Sequence, residues 1–567
     1  MALFLLYTRI SQNTDTRPGS RKPMQSEYAA VKRIGKELQL AEKKQDFTAQ
    51  IRLYQQLLHI TPNLAEGHAQ LAHLYFEQGN EADAAPHVKQ ALQQAPSEGV
   101  DKTLFPHLYE SAQFKADVAL ARRWYEAHRT LRRFKLLYQA LESSARTSEL
   151  ELLLVDALER FTHPKEQSQT LTLLGQLYYG QAKFHDAVGC YQLGLEMTPD
   201  NTTQLLNLAV TLEQLGRYAE SLPYYKRLLA LEPEHASAHN NIAINLLKLG
   251  EFEAGWEYYE WRWPAVQPEH YHEFAIPRWT GEPLNGKTLL AWAEQGIGDH
   301  IMFASMLSEL HQVAEHLHYE IYARLDTLFK RSFPHINFVR REQQGEQDLA
   351  GKKIFQQSWP KSDYQIPIGS LPSIFRKSLD SFPRQQSYLK ADPQETQMLR
   401  DDYRKLFPGK RLIGVSWRGG KTLFTEMQSR LIAFKHLAQL AACTDVQLID
   451  LQYDTCASER EEAARHGVPL HHDPRIDARL DMDKQASQIS ALDAVVSIDN
   501  TTVHLAGALG VRTFVLLPTN PSWRWGIKPG RSYWYPSVEM IRNRELLDWE
   551  AAIAEVVRML KAEHIIA

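Results

Sequence analysis

The sequence predicts a chain of two parts, a helical solenoid in the first half and two α/β lobes in the second. Three observations carry this prediction: a proline period, apolar stripes at helical spacing between those prolines, and a change after residue 286 to short apolar runs that alternate with amphipathic segments. The prolines are Pro62, Pro96, Pro164, Pro199 and Pro233, at intervals of 34, 68, 35 and 34 residues. Such a period is typical of stacked helix pairs, and strand–helix alternation is typical of parallel sheets.

The units between the prolines carry the amphipathic pattern of paired helices. In the unit that ends at Pro199, Leu171 and Leu174 fall on one face of a first helix, and Ala187 and Tyr191 fall on one face of a second. Apolar residues at steps of three and four give each helix a buried stripe. A helix-pair period of about 34 residues is typical of tetratricopeptide repeats, whose stacked units present a binding surface to other proteins.

The solenoid is expected to span residues 26–265. Residues 97–164 fit the pattern less well and are interpreted as two degenerate repeats, and a further unit precedes Pro62. The last unit begins at Ala236 and ends in an aromatic run, 255–263, in place of the usual proline. Because terminal repeats are atypical, we interpret this run as a hydrophobic cap that joins the solenoid to the next domain. The alternative is that its tryptophans stack on a ligand.

Composition limits the classes of partner. The chain has 567 residues, enough for about three to four domains by length alone. Its formal net charge is −4 and its pI is near 6.7, and no lysine and arginine cluster stands out, so nucleic acid is not an expected partner. The three cysteines, Cys190, Cys443 and Cys456, are odd in number and lack CxxC spacing. This pattern indicates neither a disulfide framework nor a zinc site and favours a reducing, cytoplasmic location.

Residues 1–25 are expected to form a disordered leader. The first seven residues are apolar, but no basic segment precedes them and a polar stretch follows through Ser26. They are too short to cross a bilayer and lack the layout of a signal peptide. No later stretch reaches about eighteen apolar residues. We therefore expect no membrane span.

A linker, 266–286, is expected to precede the first α/β lobe, 287–405. Within this lobe the sequence predicts a buried strand at 287–293, a tight glycine turn at 294–299 and a helix at 300–316. Ligands of open parallel sheets bind beyond the carboxyl ends of the strands. The glycine turn lies at such a position.

The strand–helix alternation restarts in a second lobe, 406–545. One strand leads into the turn 418–421, and a later strand at 494–499 leads into the turn 500–502. We expect two successive sheets with a cleft between them. A closing helix is expected within 546–567.

Several motif runs resemble a known family. The runs are Leu290–Asp299, Ser497–Gly510, Trp523–Gly526 and Trp534–Pro536. Together they resemble bacterial tetratricopeptide-repeat proteins with a C-terminal heptosyltransferase-like domain of glycosyltransferase family 9. The resemblance covers residues 30–560 and implies a two-lobed GT-B fold, built of two Rossmann-like sheets. It also implies transfer of a sugar from a nucleotide-sugar donor with inversion, without a metal or another cofactor.

The resemblance implies roles for individual residues. Asp299 would be the general base for the acceptor hydroxyl. The donor diphosphate would lie against Asp499, Asn500, Thr501, Thr502 and His504. Asn500 and Thr501 depart from the Asp-Thr-Gly or Asp-Thr-Ala that is more usual there, so the identity of the donor stays open.

Residue chemistry indicates the same places. The first N–H groups of the helix after Asp499 have no partner within that helix and favour an anion such as a diphosphate. Without a metal, cationic side chains must stabilise the leaving group. The remaining candidates for donor contacts are Gly296, Gly298, Arg418, Gly419, Lys421 and Gln452, with Arg430 as a weaker one. Asp299 and Asp499 would equally suit helix capping, and His504 would suit a structural role in the core.

The acceptor is expected to be a protein that the solenoid recruits, directly or through the acceptor's chaperone. A fused protein-binding solenoid favours a polypeptide substrate, for example a flagellin-like or other surface protein. Two alternatives stay open: a lipopolysaccharide-type heptosyltransferase whose repeats serve assembly, and a non-catalytic adaptor with a degenerate transferase domain. Likeness of fold alone does not decide between them.

Overall fold

The computed structural model describes residues 21–567 with internal gaps and shows two compact units, Met1–Pro199 and Asp200–Ala567. The gaps are 94–96, 112–113, 115–116, 267–273, 342–358, 383, 420–429, 455–456 and 544–547. The first helix begins at Arg21 and so includes the last residues of the expected leader. Residues 1–20 and Pro96 lie outside the described part.

The described part of the first unit contains paired helices. They are Arg21–Lys43 and Phe47–Ile60, Ala65–Glu77 and Glu81–Gln93, Glu98–Glu110 and Val118–Ala127, Leu131–Ser143 and Thr147–Arg160, and Pro164–Gly180 and Phe184–Met197. The two degenerate repeats expected at 97–164 are present as the third and fourth pairs. Small residues permit the close crossings, as at Gly175, where a Cβ atom would stand 2.5 Å from the ring of Tyr191.

A buried polar cluster explains why the repeat pattern weakens at 97–164. The Asp101 carboxylate accepts hydrogen bonds from the guanidinium of Arg133 and from Nε1 of Trp124, at 2.8 to 3.0 Å. All three side chains are buried. A charge in the core is tolerated only when it is paired and hydrogen-bonded, so this cluster replaces part of the apolar stripe.

The second unit begins with further repeat helices and continues into two sheets. The helices are Thr202–Gln214, Tyr218–Leu231, Ala236–Leu249, Phe252–Tyr259 and Arg262–Val266. The aromatic run at their end is buried against the sheets: Trp256 donates a 2.8 Å hydrogen bond to the Arg376 carbonyl, and its ring meets that of Trp523 edge to face. The interpretation of this run as a joining cap agrees with these contacts.

The first sheet has four parallel strands in the order β3-β2-β1-β4. The strands are β1 (Thr288–Trp292), β2 (His316–Ile321), β3 (Asn337–Arg340) and β4 (Tyr364–Pro367). The predicted helix 300–316 is instead divided into Ile297–Phe303, a 3₁₀ turn at Ala304–Met306 and Leu307–Val313. The last segment ends earlier than predicted because β2 already begins at His316.

The second sheet has seven strands in the order β10-β11-β9-β8-β5-β6-β7. They are β5 (Arg411–Ser416), β6 (Val446–Asp450), β7 (Leu470–His471), β8 (Ala494–Ile498), β9 (Thr513–Leu517), β10 (Gly530–Arg531) and β11 (Val538–Arg542). All neighbours are parallel except β10 and β11. The closing helix, Trp549–Ala562, packs on this sheet, with Asp548 as its cap.

The predicted fold class is confirmed: a helical solenoid is followed by two Rossmann-like sheets. The order of strands reverses between β1 and β4 in the first sheet and between β5 and β8 in the second. Ligands of such sheets bind at these reversals. Among the described helices, none combines the length and the apolar character that crossing a membrane requires.

A buried ion pair ties the repeats of the second unit to the first sheet. Arg262 donates from Nε and Nη2 to the two oxygens of Glu294, each at 2.8 Å. Glu294 also accepts from the Gly369 N–H at 2.6 Å, and Arg262 donates to Ser370. Both charged side chains are almost fully buried. The attraction between the two charges therefore has to offset the cost of removing each from water.

Replacing Arg262 by Ala should lower the free energy of unfolding of the second unit by about 3–5 kcal/mol, because Glu294 would remain buried without its cation. Chemical denaturation followed by circular dichroism measures this. Arg558→Ala, which breaks an exposed pair with Glu555, is the control and should leave the denaturation midpoint nearly unchanged. Equal effects of the two substitutions on the free energy of unfolding would show that the buried pair stabilises the second unit no more than an exposed pair does.

Candidate active site

A cavity of about 420 Å³ opens between the two sheets of the second unit. Its walls come from the glycine turn after β1, the loops after β2, β5, β6 and β9, the loop and helix after β7, and the helix after β8. The lining residues are Gly296, Ile297, Gly298, Asp299, Arg324, Arg430, Tyr453, Ala478, Met482, Gln485, Asp499, Asn500, Thr501, Thr502, His504, Ser522 and Arg524. The cavity therefore brings together the two motifs that the sequence separates by about two hundred residues.

The glycine turn directs a helix toward the cavity. Gln295 has a positive φ of 60°, and Gly296 stands at the cap position of the helix Ile297–Phe303. Asp299 lies within the first turn of this helix and does not cap it. The alternative interpretation of Asp299 as a helix cap is therefore wrong. Its carboxylate is therefore available to the cavity.

Asp299 forms an ion pair with Arg524 from the second lobe. Arg524 donates from Nε and Nη2 to Oδ1 of Asp299. Nη1 of Arg524 donates to Ser522, and the guanidinium lies over the ring of Trp523. The pair orients the carboxylate and leaves its second oxygen without a hydrogen-bond partner among the described residues.

Gly298 permits a close approach of the two lobes. A Cβ atom at this position would stand 2.9 Å from Cδ2 of His504, a distance that side-chain atoms essentially never adopt. At Gly296 the nearest atom to such a Cβ is Oδ2 of Asp299, at an ordinary 3.7 Å. The two glycines of the turn therefore have different structural roles. Gly296 stands at the start of the helix, and Gly298 leaves room for the ring of His504.

His504 is buried and held by aromatic neighbours. Its Nδ1 lies 2.8 Å from the Tyr535 hydroxyl, and its ring stacks on Trp525 with the centroids 5.3 Å apart. Burial lowers the pKa of His504 to about 4. The imidazole is thus neutral at neutral pH, with Nε2 on the side of Gly298.

Asn500 holds the point where the strand order of the second sheet reverses. Its Oδ1 accepts from the Thr502 N–H and caps the helix Thr501–Ala508, and its Nδ2 donates to Ser416 at 2.7 Å and to the Arg418 carbonyl. Asn500, and not Asp499, is therefore the cap. This side chain joins the ends of β5 and β8, which explains why an asparagine suits this position.

Asp499 is left facing the cavity. Its side chain is buried at the rim and lines the cavity, and no described group hydrogen-bonds to its carboxylate. Its carbonyl oxygen accepts from Arg430. The site therefore holds two carboxylates, one paired and one not.

Three arginines give the cavity its positive charge. Arg524 is paired, whereas Arg324 and Arg430 form no ion pair within the described part of the chain. Nε of Arg430 is buried and has no hydrogen-bond partner among the residues that the structure describes, and Arg324 donates a long hydrogen bond, 3.5 Å, to the Ala478 carbonyl. Guanidinium groups with free donors are suited to phosphate oxygens.

Arg418 and Gly419, expected to contact the donor after β5, are not among the residues that line the cavity. Arg418 pairs with Asp454 at 2.6 Å and with Glu459 at 2.8 Å. Gly419 takes part in a backbone pairing with Arg430. Lys421 lies outside the described residues.

Gln452 has a structural position. Its Oε1 accepts from Ser416 and from the N–H groups of Trp417 and Arg418, and its Nε2 donates to the Arg418 carbonyl. It fixes the loop after β5. It faces a second cavity of about 210 Å³ that shares Tyr453, Ala478 and Gln485 with the first.

Sequence reasoning did not single out Arg324 or Arg524, and it gave Arg430 only as a weaker candidate; all three line the cavity. Arg524 lay within a motif run, Trp523–Gly526, but nothing local connected it to Asp299. Arg324 follows β2, whose end is the expected place for ligand contacts in a parallel sheet. That signal was present in the sequence.

Comparison with known proteins agrees with this organisation. A family profile described as "Tetratricopeptide repeat" matches residues 172–230 and 206–260. The chain contains tetratricopeptide repeats. It is 30% identical over 299 residues to "Protein FlbA" of Caulobacter vibrioides, a match that covers 51% of this chain and 49% of that protein. The chain thus matches about half the length of this curated relative.

Solved structures with some likeness include two transferases. One is the glycosyl transferase family 9 structure from Veillonella parvula, with 12% identity, coverage of 51% of this chain and 92% of that one, and a TM-score of 0.32. The other is "E. coli ADP-heptose lps heptosyltransferase II", with 13% identity, coverage of 49% and 99%, and a TM-score of 0.33. The fold assignment rests on the strand order described above.

Gly298→Ala should destabilise the second unit by about 1–3 kcal/mol, because the added methyl group collides with His504. Gly296→Ala is the matched control in the same turn, and its smaller cost comes from a less favourable cap residue. Thermal unfolding of both variants measures the difference. If Gly296→Ala were the more damaging substitution, the close contact between Gly298 and His504 would not be present in solution.

Proposed function

We propose that this chain is a glycosyltransferase that moves a sugar from a nucleotide-sugar donor to a protein acceptor, with inversion and without a metal. The observation that carries the proposal is the cavity in which Asp299 of one lobe meets the capped helix Thr501–Ala508 and three arginines of both lobes. The resemblance of the two motif runs to glycosyltransferase family 9 supports the same reaction.

The donor diphosphate would bind between the helix start and the arginines. The N–H groups of the first turn of Thr501–Ala508 favour an anion, and Thr501 and Thr502 add hydroxyl groups there. Arg324 and Arg430 supply charge that no described carboxylate neutralises. Positive groups placed at the leaving group stabilise the charge that develops on it as the glycosidic bond to the donor breaks.

Asp299 would act as the general base. Its free oxygen would accept the proton of the acceptor hydroxyl while that oxygen attacks the sugar carbon from the face opposite the diphosphate. Arg524 fixes the carboxylate for this step, and positioning of this kind is what makes general-base catalysis effective. Neutral His504 would donate from or accept at Nε2, depending on its tautomer, and so contact donor or acceptor.

The solenoid would supply the acceptor. Stacked repeats expose an extended surface that suits a polypeptide, so we infer that the acceptor protein, or a chaperone that delivers it, binds there. A cytoplasmic location is part of the proposal and is supported by the free thiols Cys190 and Cys443. The asparagine at position 500 caps its helix, so this departure from the usual motif does not by itself favour a non-catalytic adaptor.

Arg430→Gln should weaken binding of a nucleoside diphosphate by about tenfold or more, because a charge-assisted hydrogen bond contributes about 1.5–3 kcal/mol. Arg418→Gln, which removes a guanidinium already occupied by Asp454 and Glu459, is the control and should bind as the natural chain does. Isothermal titration calorimetry with UDP, GDP and ADP measures both. The reverse order of effects would place the diphosphate against Arg418 and away from Arg430.

Asp299→Asn should lower transfer by about 10²–10⁴, the usual contribution of a positioned general base, while nucleotide affinity stays within a factor of about three. The exposed Asp380→Asn is the control for the loss of one carboxylate. Mass spectrometry of the acceptor and release of free nucleotide report turnover. Undiminished turnover in the Asp299 variant would remove this residue from the base role and leave Asp499 as the unpaired carboxylate of the cavity.

A further inference from the structure

Two histidines of the solenoid meet one repeat apart. His73 lies on the helix Ala65–Glu77 and His107 on the helix Glu98–Glu110, 34 positions later. Nδ1 of His73 and Nε2 of His107 are 2.6 Å apart. Because the separation equals one repeat, the two rings occupy equivalent positions on the first helices of consecutive repeats.

A carboxylate completes the cluster. Glu77 follows His73 by four positions, so both side chains lie on one face of the helix. Its Oε1 is 4.0 Å from Nδ1 of His73 and 3.9 Å from Nε2 of His107. The three ligand atoms all lie within 4.8 Å of one another.

We propose that His73, Glu77 and His107 bind a divalent transition metal, with zinc as the best fit. Two imidazole nitrogens and one carboxylate oxygen, with water in the fourth position, form a ligand set that tetrahedral zinc accepts. Bonds of 2.0–2.2 Å in a tetrahedron place neighbouring ligand atoms about 3.3 Å apart. The three observed separations lie on both sides of this value, so small side-chain rotations suffice.

The surroundings orient the ligands and leave the site open to an ion. Phe76 stacks on the His107 ring with the centroids 4.9 Å apart and orients it. His73 and Glu77 are partly exposed, at 36% and 48% of their side-chain surface, which leaves room for entry of the ion and for a bound water.

The inferred metal would join two consecutive repeats on the face made by their first helices. It is independent of the proposed transfer reaction, since none of its ligands lines the cavity of the second unit. Its role would be structural: a cross-link between repeats would hold fixed the surface that binds the partner. Loss of the metal should therefore leave nucleotide binding unchanged.

The test uses the full chain without an affinity tag, stripped with a chelator and titrated with Co²⁺ and then Zn²⁺. We expect one equivalent of Co²⁺ with the d–d absorption of a tetrahedral site, displaced by one equivalent of Zn²⁺. Glu77→Gln and His107→Gln should each weaken binding at least tenfold. Glu77→Gln alters a half-exposed side chain and should fold normally by circular dichroism.

His87→Gln is the matched control, because His87 contacts His68 on neighbouring helices and lies outside the trio. It should bind metal as the natural chain does. Absence of saturable binding in the natural chain would overturn the proposal. So would equal affinity of the Glu77→Gln variant, or a loss confined to His87→Gln, which would assign any metal to the other histidine pair.

Discussion

The second unit depends on the buried ion pair of Arg262 and Glu294. Glu294 follows the end of β1 by two residues and is the first residue of the glycine turn, so the residue that pairs with the cation also lies where that turn begins. The cation comes from the last repeat helix. A buried charge without its partner is strongly destabilising, and the start of the helix Ile297–Phe303 is therefore fixed by the repeats as well as by the sheet. The repeats from residue 200 onward and the two lobes form one structural unit around the cavity.

A second set of contacts fixes the opposite wall of the cavity. Asn520, in the loop after β9, accepts hydrogen bonds from Lys248 at 2.7 Å and from Tyr218 at 2.9 Å. Burial lowers the pKa of Lys248 to about 8. The hydrogen bond to Asn520 therefore comes from an ammonium group that has lost most of its water contacts. Four residues further along the same loop, Arg524 reaches Asp299. Repeat helices thus hold the loop that carries Arg524, the partner of Asp299.

Sequence reasoning identified the repeats, both sheets and the two cavity motifs, because each produces a pattern within a short stretch of sequence. These patterns are the periodicity of apolar residues and the spacing of glycines and other small residues. The bounds of β1 and β8 followed within one residue, and the closing helix lies inside the range expected for it. Contacts between segments that are distant in the sequence could not be predicted in this way. Nothing near Arg418 shows that Asp454 and Glu459 occupy its guanidinium, and nothing near Arg524 shows that it pairs with Asp299. Gly298 lines the cavity as expected, and its close approach to His504 could not be read from the sequence. Asp101 and Arg133 disturbed the repeat pattern because a buried charge pair replaces apolar residues.

The central claim is that nucleotide, cavity and terminal repeats form one coupled unit. Amide hydrogen exchange of the full chain, with and without a saturating nucleoside diphosphate, tests it most directly. The account predicts added protection at Ile297–Phe303, at Thr501–Ala508 and in the loop 518–526, together with the helix Ala236–Leu249 that carries Lys248. Protection confined to the loop after β5, or a nucleotide effect that leaves all four segments unchanged, would contradict it.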